Sequence, residues 1–185
     1  ESFELEERRL SRGERVLTDS QSQAVISFRD TSLDSMLISS LTVKNNSGVM
    51  VRDAVQPRFE RSTRDYQIAL VNAVGEVDIF VPSTVPRDVG LTLFLNDDLV
   101  IDVSESGEYT LAVDEQEIEL STWKGQAAIL PPERETSRPV IDGQVGVYDR
   151  QTGLLTVERR YVDLIDNSNF DRGLVANGNT GNQLL

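Results

Sequence analysis

The feature that most constrains this chain is an alternation of apolar and polar residues with a period of two. It is broken by turn residues about every ten positions. Leu99, Ile101 and Val103 share one face of an extended chain, with Asp102 on the other. Tyr109, Leu111 and Val113 stand against Thr110 and Asp114. Ile118 and Leu120 alternate with Glu117, Glu119 and Ser121. Such alternation places one face of a strand on a core and the other in water. Further runs read as strands: 23–29, 35–44, 49–55, 66–73, 77–81, 91–95, 126–130, 144–149 and 154–165. No long stretch with a 3.6-residue period competes, so the expected class is all-β. "NNSG" (45–48) and "RQTG" (150–153) read as hairpin turns, each closing on a Gly able to take positive φ.

Two connections are longer than a tight turn. "PRFERSTRD" (57–65) gathers Arg58, Arg61 and Arg64. "PPERETSRP" (131–139) begins with two prolines and ends in a third. Both suit Greek-key crossovers between sheets. The pattern therefore predicts a jelly-roll β-barrel or sandwich over 23–165, with polar arms at 1–22 and 166–185. The C-terminal arm is rich in Asn and Gly but carries spaced apolar residues, among them Phe170, Leu174 and Leu184. That composition suits a segment ordered against a neighbour.

Between Arg87 and Lys124 there is no basic residue, and 96–120 alone holds nine carboxylates. The alternation puts most of them on outward faces or in turns, which predicts a solvated sheet face. Asp97, Asp98 and Asp102, with Glu105 or Glu108 from the next turn, form the one set resembling hard-oxygen calcium ligands. An EF-hand spacing is absent. A carboxylate pair for glycoside hydrolysis cannot be singled out among so many acids.

The chain has 185 residues, neither cysteine nor histidine, and a formal net charge of −13. That removes disulfides, thiol nucleophiles, histidine triads and zinc sites of the usual ligands. No cofactor is expected and no enzymatic activity. Direct nucleic-acid binding calls for a basic surface that this composition does not supply. Only Lys44 and Lys124 are lysines; the other basic residues are arginine. High Asp and Glu with little lysine predicts a halophilic protein, since molar salt shortens the screening length to about 3 Å and quiets repulsion among the acids. No apolar run approaches the ~20 residues of a membrane-spanning helix. Residues 1–17 alternate charge signs without an apolar core, unlike a signal peptide or a pilin-type helix.

With stretches such as "LTVKNNSGVMV" and "NDDLVIDVSESGEYTLAV" and this composition, the whole chain resembles the smaller major capsid protein of haloarchaeal icosahedral viruses with an internal membrane. The resemblance implies an upright single jelly roll located in the virion. It implies pseudo-hexameric capsomers built by self-association and with a second capsid protein, and contact with the internal membrane or vertex proteins. In that setting the arginines 58, 61 and 64 would dock on an acidic neighbouring subunit through bidentate guanidinium–carboxylate bonds. Phe170, Leu174 and Leu184 would anchor the arm. Intramolecular ion pairing is the alternative role for the arginines. The alternative function is a calcium- or glycan-binding β-sandwich module of a haloarchaeal surface protein.

Overall fold

The computed structural model describes residues 7–31, 35–58, 62–132 and 138–160. Thirteen strands follow in order: β1 (Arg15–Leu17), β2 (Ala24–Asp30), β3 (Met36–Val43), β4 (Gly48–Val55), β5 (Tyr66–Val81), β6 (Val89–Phe94), β7 (Val100–Val103), β8 (Gly107–Val113), β9 (Glu117–Lys124), β10 (Gln126–Leu130), β11 (Arg138–Ile141), β12 (Gln144–Asp149) and β13 (Leu155–Arg159). A single 3-10 turn, Asn96–Asp98, joins β6 to β7. Among the described residues there is no α-helix, and the fold is an all-β, nearly closed barrel-like sandwich of the jelly-roll class.

The strands lie in two layers. Sheet A has the order β1-β4-β5-β6-β7-β10-β11, and sheet B the order β2-β3-β5-β8-β9-β12-β13. β5 belongs to both. Tyr66–Val71 pairs with β6 in parallel, and Gln67–Val74 with β4 in antiparallel register. Gly75–Val81 pairs with β8, and Val77–Phe80 with β3. The sequence reads as two strands here, 66–73 and 77–81, because its alternation breaks. The break is a bend within one strand. Buried positions run Tyr66, Ile68, Leu70, then shift phase to Ala73, Val77, Ile79 and Val81. Asn72 (φ 54°) and Gly75 (φ 72°) take left-handed conformations at that point. One extra residue turns the strand's faces over as it leaves one layer for the other.

Between the layers lies one core. Leu41, Val43, Leu70, Val77, Leu91, Leu93, Ile101, Val103, Leu111, Leu120, Ile129 and Val140 are wholly removed from solvent. These are the inward positions of the alternating runs, and each Leu or Ile so buried contributes about 1.5–3 kcal/mol of transfer free energy.

The connections correct two expectations. The loops 57–65 and 131–139 are not crossovers between sheets. Val55 faces Gln67 and Ile129 faces Arg138, so both close hairpins within sheet A. The layer changes are made by β5 itself and by shorter segments, among them residues 18–23, 44–47, 104–106, Gly125 alone, and 142–143. Nor is "NNSG" a hairpin turn, because β3 and β4 lie in different sheets. Asn46, not the glycine, takes positive φ there (53°). A Cβ at Gly48 would press on the exposed Leu17 side chain and meet Val16 O at 3.2 Å. By contrast "RQTG" is a hairpin turn between β12 and β13, with Gly153 at φ 68°. Within the N-terminal arm, β1 pairs with β4, and Gly13 N–H donates to Val51 O at 2.8 Å. The arm 166–185, with Phe170, Leu174 and Leu184, lies outside the described residues, as does Arg61.

Candidate functional site

The acidic stretch is the wet side of the sandwich. β7, β8 and β9 bury Ile101, Val103, Tyr109, Leu111, Val113, Ile118 and Leu120 and turn Asp102, Glu108, Thr110 and Glu119 outward. Asp98 sits exposed at the 3-10 turn beside Asp97, with φ 58°. Asp102 is four residues along the chain, about 13 Å away on an extended strand. The structure therefore does not bring the candidate ligands together. Among the described residues no group of three or more acids could hold a metal ion. Burial alone pushes the Asp102 carboxyl above its usual range. In the two acidic turns, backbone N–H groups have the opposite effect. Glu117 and Gln116 donate to Asp114, and Thr152 and Gln151 donate to Asp149, which holds both carboxyls low.

Arg58 and Arg64 are both exposed in the β4–β5 connection. That connection is tied to the one between β5 and β6, where the Arg87 guanidinium donates to Ser62 O and Arg64 O. Beneath it Tyr66 donates to the buried Asp30 carboxylate at 2.5 Å. Burial first, and Asp30 second, push the Tyr66 hydroxyl up to about 12.

A second constellation is one that sequence reasoning did not find. The outer face of sheet B carries a shallow concavity of ≈650 Å³ across β3, β5, β8 and β9. Trp123, the sole tryptophan, lies on it and is 46% exposed, with Phe80 39% exposed nearby. The Arg160 guanidinium stacks over the indole at 4.5 Å from the ring centroid. The indole N–H donates to Thr110 Oγ1 (3.1 Å), and the Thr110 hydroxyl donates to Asp78 Oδ1 (2.9 Å). Asp78 Oδ2 pairs with Lys44, whose ammonium is held above its usual range chiefly by that hydrogen bond. Arg160 also reaches Glu119 (3.5 Å) and donates to Ser121 Oγ.

Cross-strand register explains the network. Asp78 lies opposite Thr42 on one side and Thr110 on the other. A register shift at Glu108/Tyr109 leaves Trp123 without a direct partner, so its ring leans along the sheet towards Thr110. Arg160 N–H donates to Gly143 O at 2.7 Å just past the end of β13, which sets the guanidinium beside the indole. The arrangement is a rigid aromatic–arginine platform whose polar groups already satisfy one another. A signal for it was present in the sequence: Trp123 and Phe80 occupy the outward phase of strands whose inward phase is Ile118 and Leu120, or Ile79 and Val81.

No protein-family model matches the chain, and no curated protein does. Among solved structures the chain is similar to two crystal structures of "a putative anti-sigma factor from Parabacteroides distasonis ATCC 8503". The TM-scores are 0.55 and 0.56, with 9% and 10% sequence identity. In each the match covers 80% of this chain and 60% of that one, so this chain spans less than two thirds of the length of those proteins. At such identity the likeness concerns the fold alone.

Proposed function

We propose that the chain is a structural assembly subunit: a small major capsid protein that packs with itself and with a second capsid protein into pseudo-hexameric capsomers of a virion shell, in contact with an internal membrane or vertex proteins. The observation that supports this most is the Trp123–Arg160 platform with Phe80 beside it. Tryptophan and arginine at the centre of a shallow concave face are the side chains that dominate protein–protein binding energy. The Lys44–Asp78–Thr110 network is already paired within the subunit. Covering it with a neighbour therefore strips few groups of water without compensation. The acids on the outward faces of β7–β9 keep the rest of the surface hydrated.

A second reading draws on the same site. An exposed indole beside Thr110, Asp78 and Glu119 is also a surface on which a sugar ring could stack, which favours a glycan-binding module. The separation of Asp98 from Asp102 gives no comparable support to calcium. One experiment separates the two readings. The purified chain and Trp123→Ala are compared by sedimentation velocity in molar salt, and each is titrated calorimetrically with a panel of neutral oligosaccharides. Assembly by the parent and its loss in the variant, at unchanged thermal midpoint, supports the capsid reading. A parent that stays monomeric and binds a sugar through Trp123 replaces it with the glycan reading.

A further inference from the structure

Both layers end on the same side of the sandwich in an open edge. β1 closes sheet A and hydrogen-bonds only to β4; β2 closes sheet B and hydrogen-bonds only to β3, among the described residues. Between them runs a groove of ≈690 Å³. Its floor is apolar: Leu10, Val16 and Ala24 rest half-buried on the core. Its lips are Leu17 and Val25, 63% and 66% exposed. Open edges in natural sheets are ordinarily guarded by charge, proline or a covering segment. Val25 is the second residue of β2, and among the described residues no proline or covering strand guards that edge; a row of unpaired backbone groups beside an apolar groove is the geometry of strand addition.

We propose that this groove receives the segment that follows β13 of a second copy of the chain, so that the β13 edge of one subunit meets the β1/β2 edge of the next. This rests on the assembly reading and specifies one of its contacts. Three observations carry it. The first is position. β13 and β2 are the two opposite edges of sheet B, six strand spacings or roughly 29 Å apart, so contiguous subunits set edge to edge bring a departing chain to its neighbour's groove. The second is charge. The charged side chains that line the groove are Arg8 and Arg15 against Glu7, a net +1 in a protein of net −13. Residues 161–185 hold Asp163, Asp166 and Asp171 against Arg172, a net −2. The third is apolar content. The segment opens with Tyr161, Val162, Leu164 and Ile165 and continues with Phe170 and Leu174, which matches a groove that asks for apolar side chains at intervals. An interface joining unlike surfaces is head-to-tail, and head-to-tail contacts close into rings when the rotation allows.

The chain has no cysteine, which makes cross-linking clean. Full-length Val25→Cys and Leu164→Cys proteins are mixed and oxidised, with Glu115→Cys replacing Val25→Cys as control. The expected product is a covalent dimer that needs Val25→Cys and Leu164→Cys together, with little of it in the control. In addition, Leu17→Asp combined with Val25→Asp should lower the assembled fraction at least tenfold while leaving the thermal midpoint of the subunit unchanged. Four results overturn the proposal. Symmetric Val25→Cys dimers alone would mean that β2 edges pair with each other. A compact intrachain link in the doubly substituted protein would mean that the segment folds onto its own groove. Absence of the mixed dimer from material that still sediments as an oligomer would place the contact elsewhere and leave the assembly reading standing. A parent that sediments as a monomer at every concentration and salt removes that reading and this contact with it.

Discussion

The Tyr109 hydroxyl holds together two of the places where the chain changes layer, and its contribution can be isolated with a double-mutant cycle. Tyr109 is buried. Its hydroxyl lies 2.9 Å from Glu105 O, in the β7–β8 crossing, and 3.2 Å from Gln126 O; it accepts the Gln126 N–H at 3.2 Å, just past the β9–β10 crossing at Gly125. Gly125 has φ 93°, and a Cβ there would overlap the Tyr109 hydroxyl and lie 2.6 Å from Ser106 O. Tyr109→Phe leaves the Gln126 N–H and the Glu105 carbonyl short of a partner, a loss of about 1–3 kcal/mol. Gly125→Ala adds backbone strain of about 1–3 kcal/mol to overpacking of about 1–3 kcal/mol. The double variant should be less damaged than the sum by at least ~1 kcal/mol, because the phenyl ring no longer carries the atom that the new methyl strikes. At about 2–4 °C per kcal/mol for a domain of this size, thermal and urea unfolding of the four proteins resolve that difference. Additivity within ~0.5 kcal/mol would show that the hydroxyl and Gly125 do not share a constraint, and the account of this corner would be wrong.

Three further outcomes follow from charge. Tyr66 and Tyr109 each hold their proton up to about 12 against an ordinary 10.0, so their contributions are complete below pH 10 and lost as pH rises towards about 12; thermal midpoints should fall through that window, and less steeply in Tyr66→Phe. Asp102 is raised by burial, so its ionised form costs stability at neutral pH, and that cost disappears below its ordinary value of 3.8. Asp102→Asn should therefore melt higher than the parent at neutral pH and lose the advantage in acid; a lower midpoint at neutral pH would refute the assignment. With 31 acids against 18 bases, dilution from molar salt to ~0.1 M lengthens screening to about 10 Å and should lower the midpoint, whereas an unchanged midpoint would remove the halophilic reading.

The strands were legible because burial in a two-layer sandwich imposes strict alternation, and 99–103, 109–113 and 117–120 show it without interruption. β5 was divided in two because the phase change between Leu70 and Ala73 looks the same, along the chain, as a boundary between strands. The connections were misassigned for a related reason. Length does not say whether a segment joins partners in one sheet or passes to the other: Gly125 changes layer alone, while the nine residues of 57–65 only close a hairpin. Asp98 and Asp102 are close in sequence, but Asp98 closes a 3-10 turn and Asp102 lies in β7, with extended chain between them. The outward phase of Trp123 and Phe80 was legible, but the platform as a whole was not, because it joins Lys44, Asp78, Thr110, Trp123 and Arg160 from five separate segments. Their meeting depends on cross-strand register and on one bulge, neither of which leaves a local mark.

The order in which hairpins join the two layers has a consequence for how the chain can be made. After β5, every hairpin is laid outside those already in place: β6–β7 beside β5, β8–β9 beside β5 in the other layer, then β10–β11 beside β7 and β12–β13 beside β9. None is threaded between two earlier strands. A ribosome releasing this chain from its N-terminus could therefore build the sandwich by accretion, each arriving hairpin finding a finished edge and no gap to pry open. The edge formed by β1 and β2 is set first and the edge at β11 and β13 last, so the direction of synthesis is written into the molecule as a difference between its two sides.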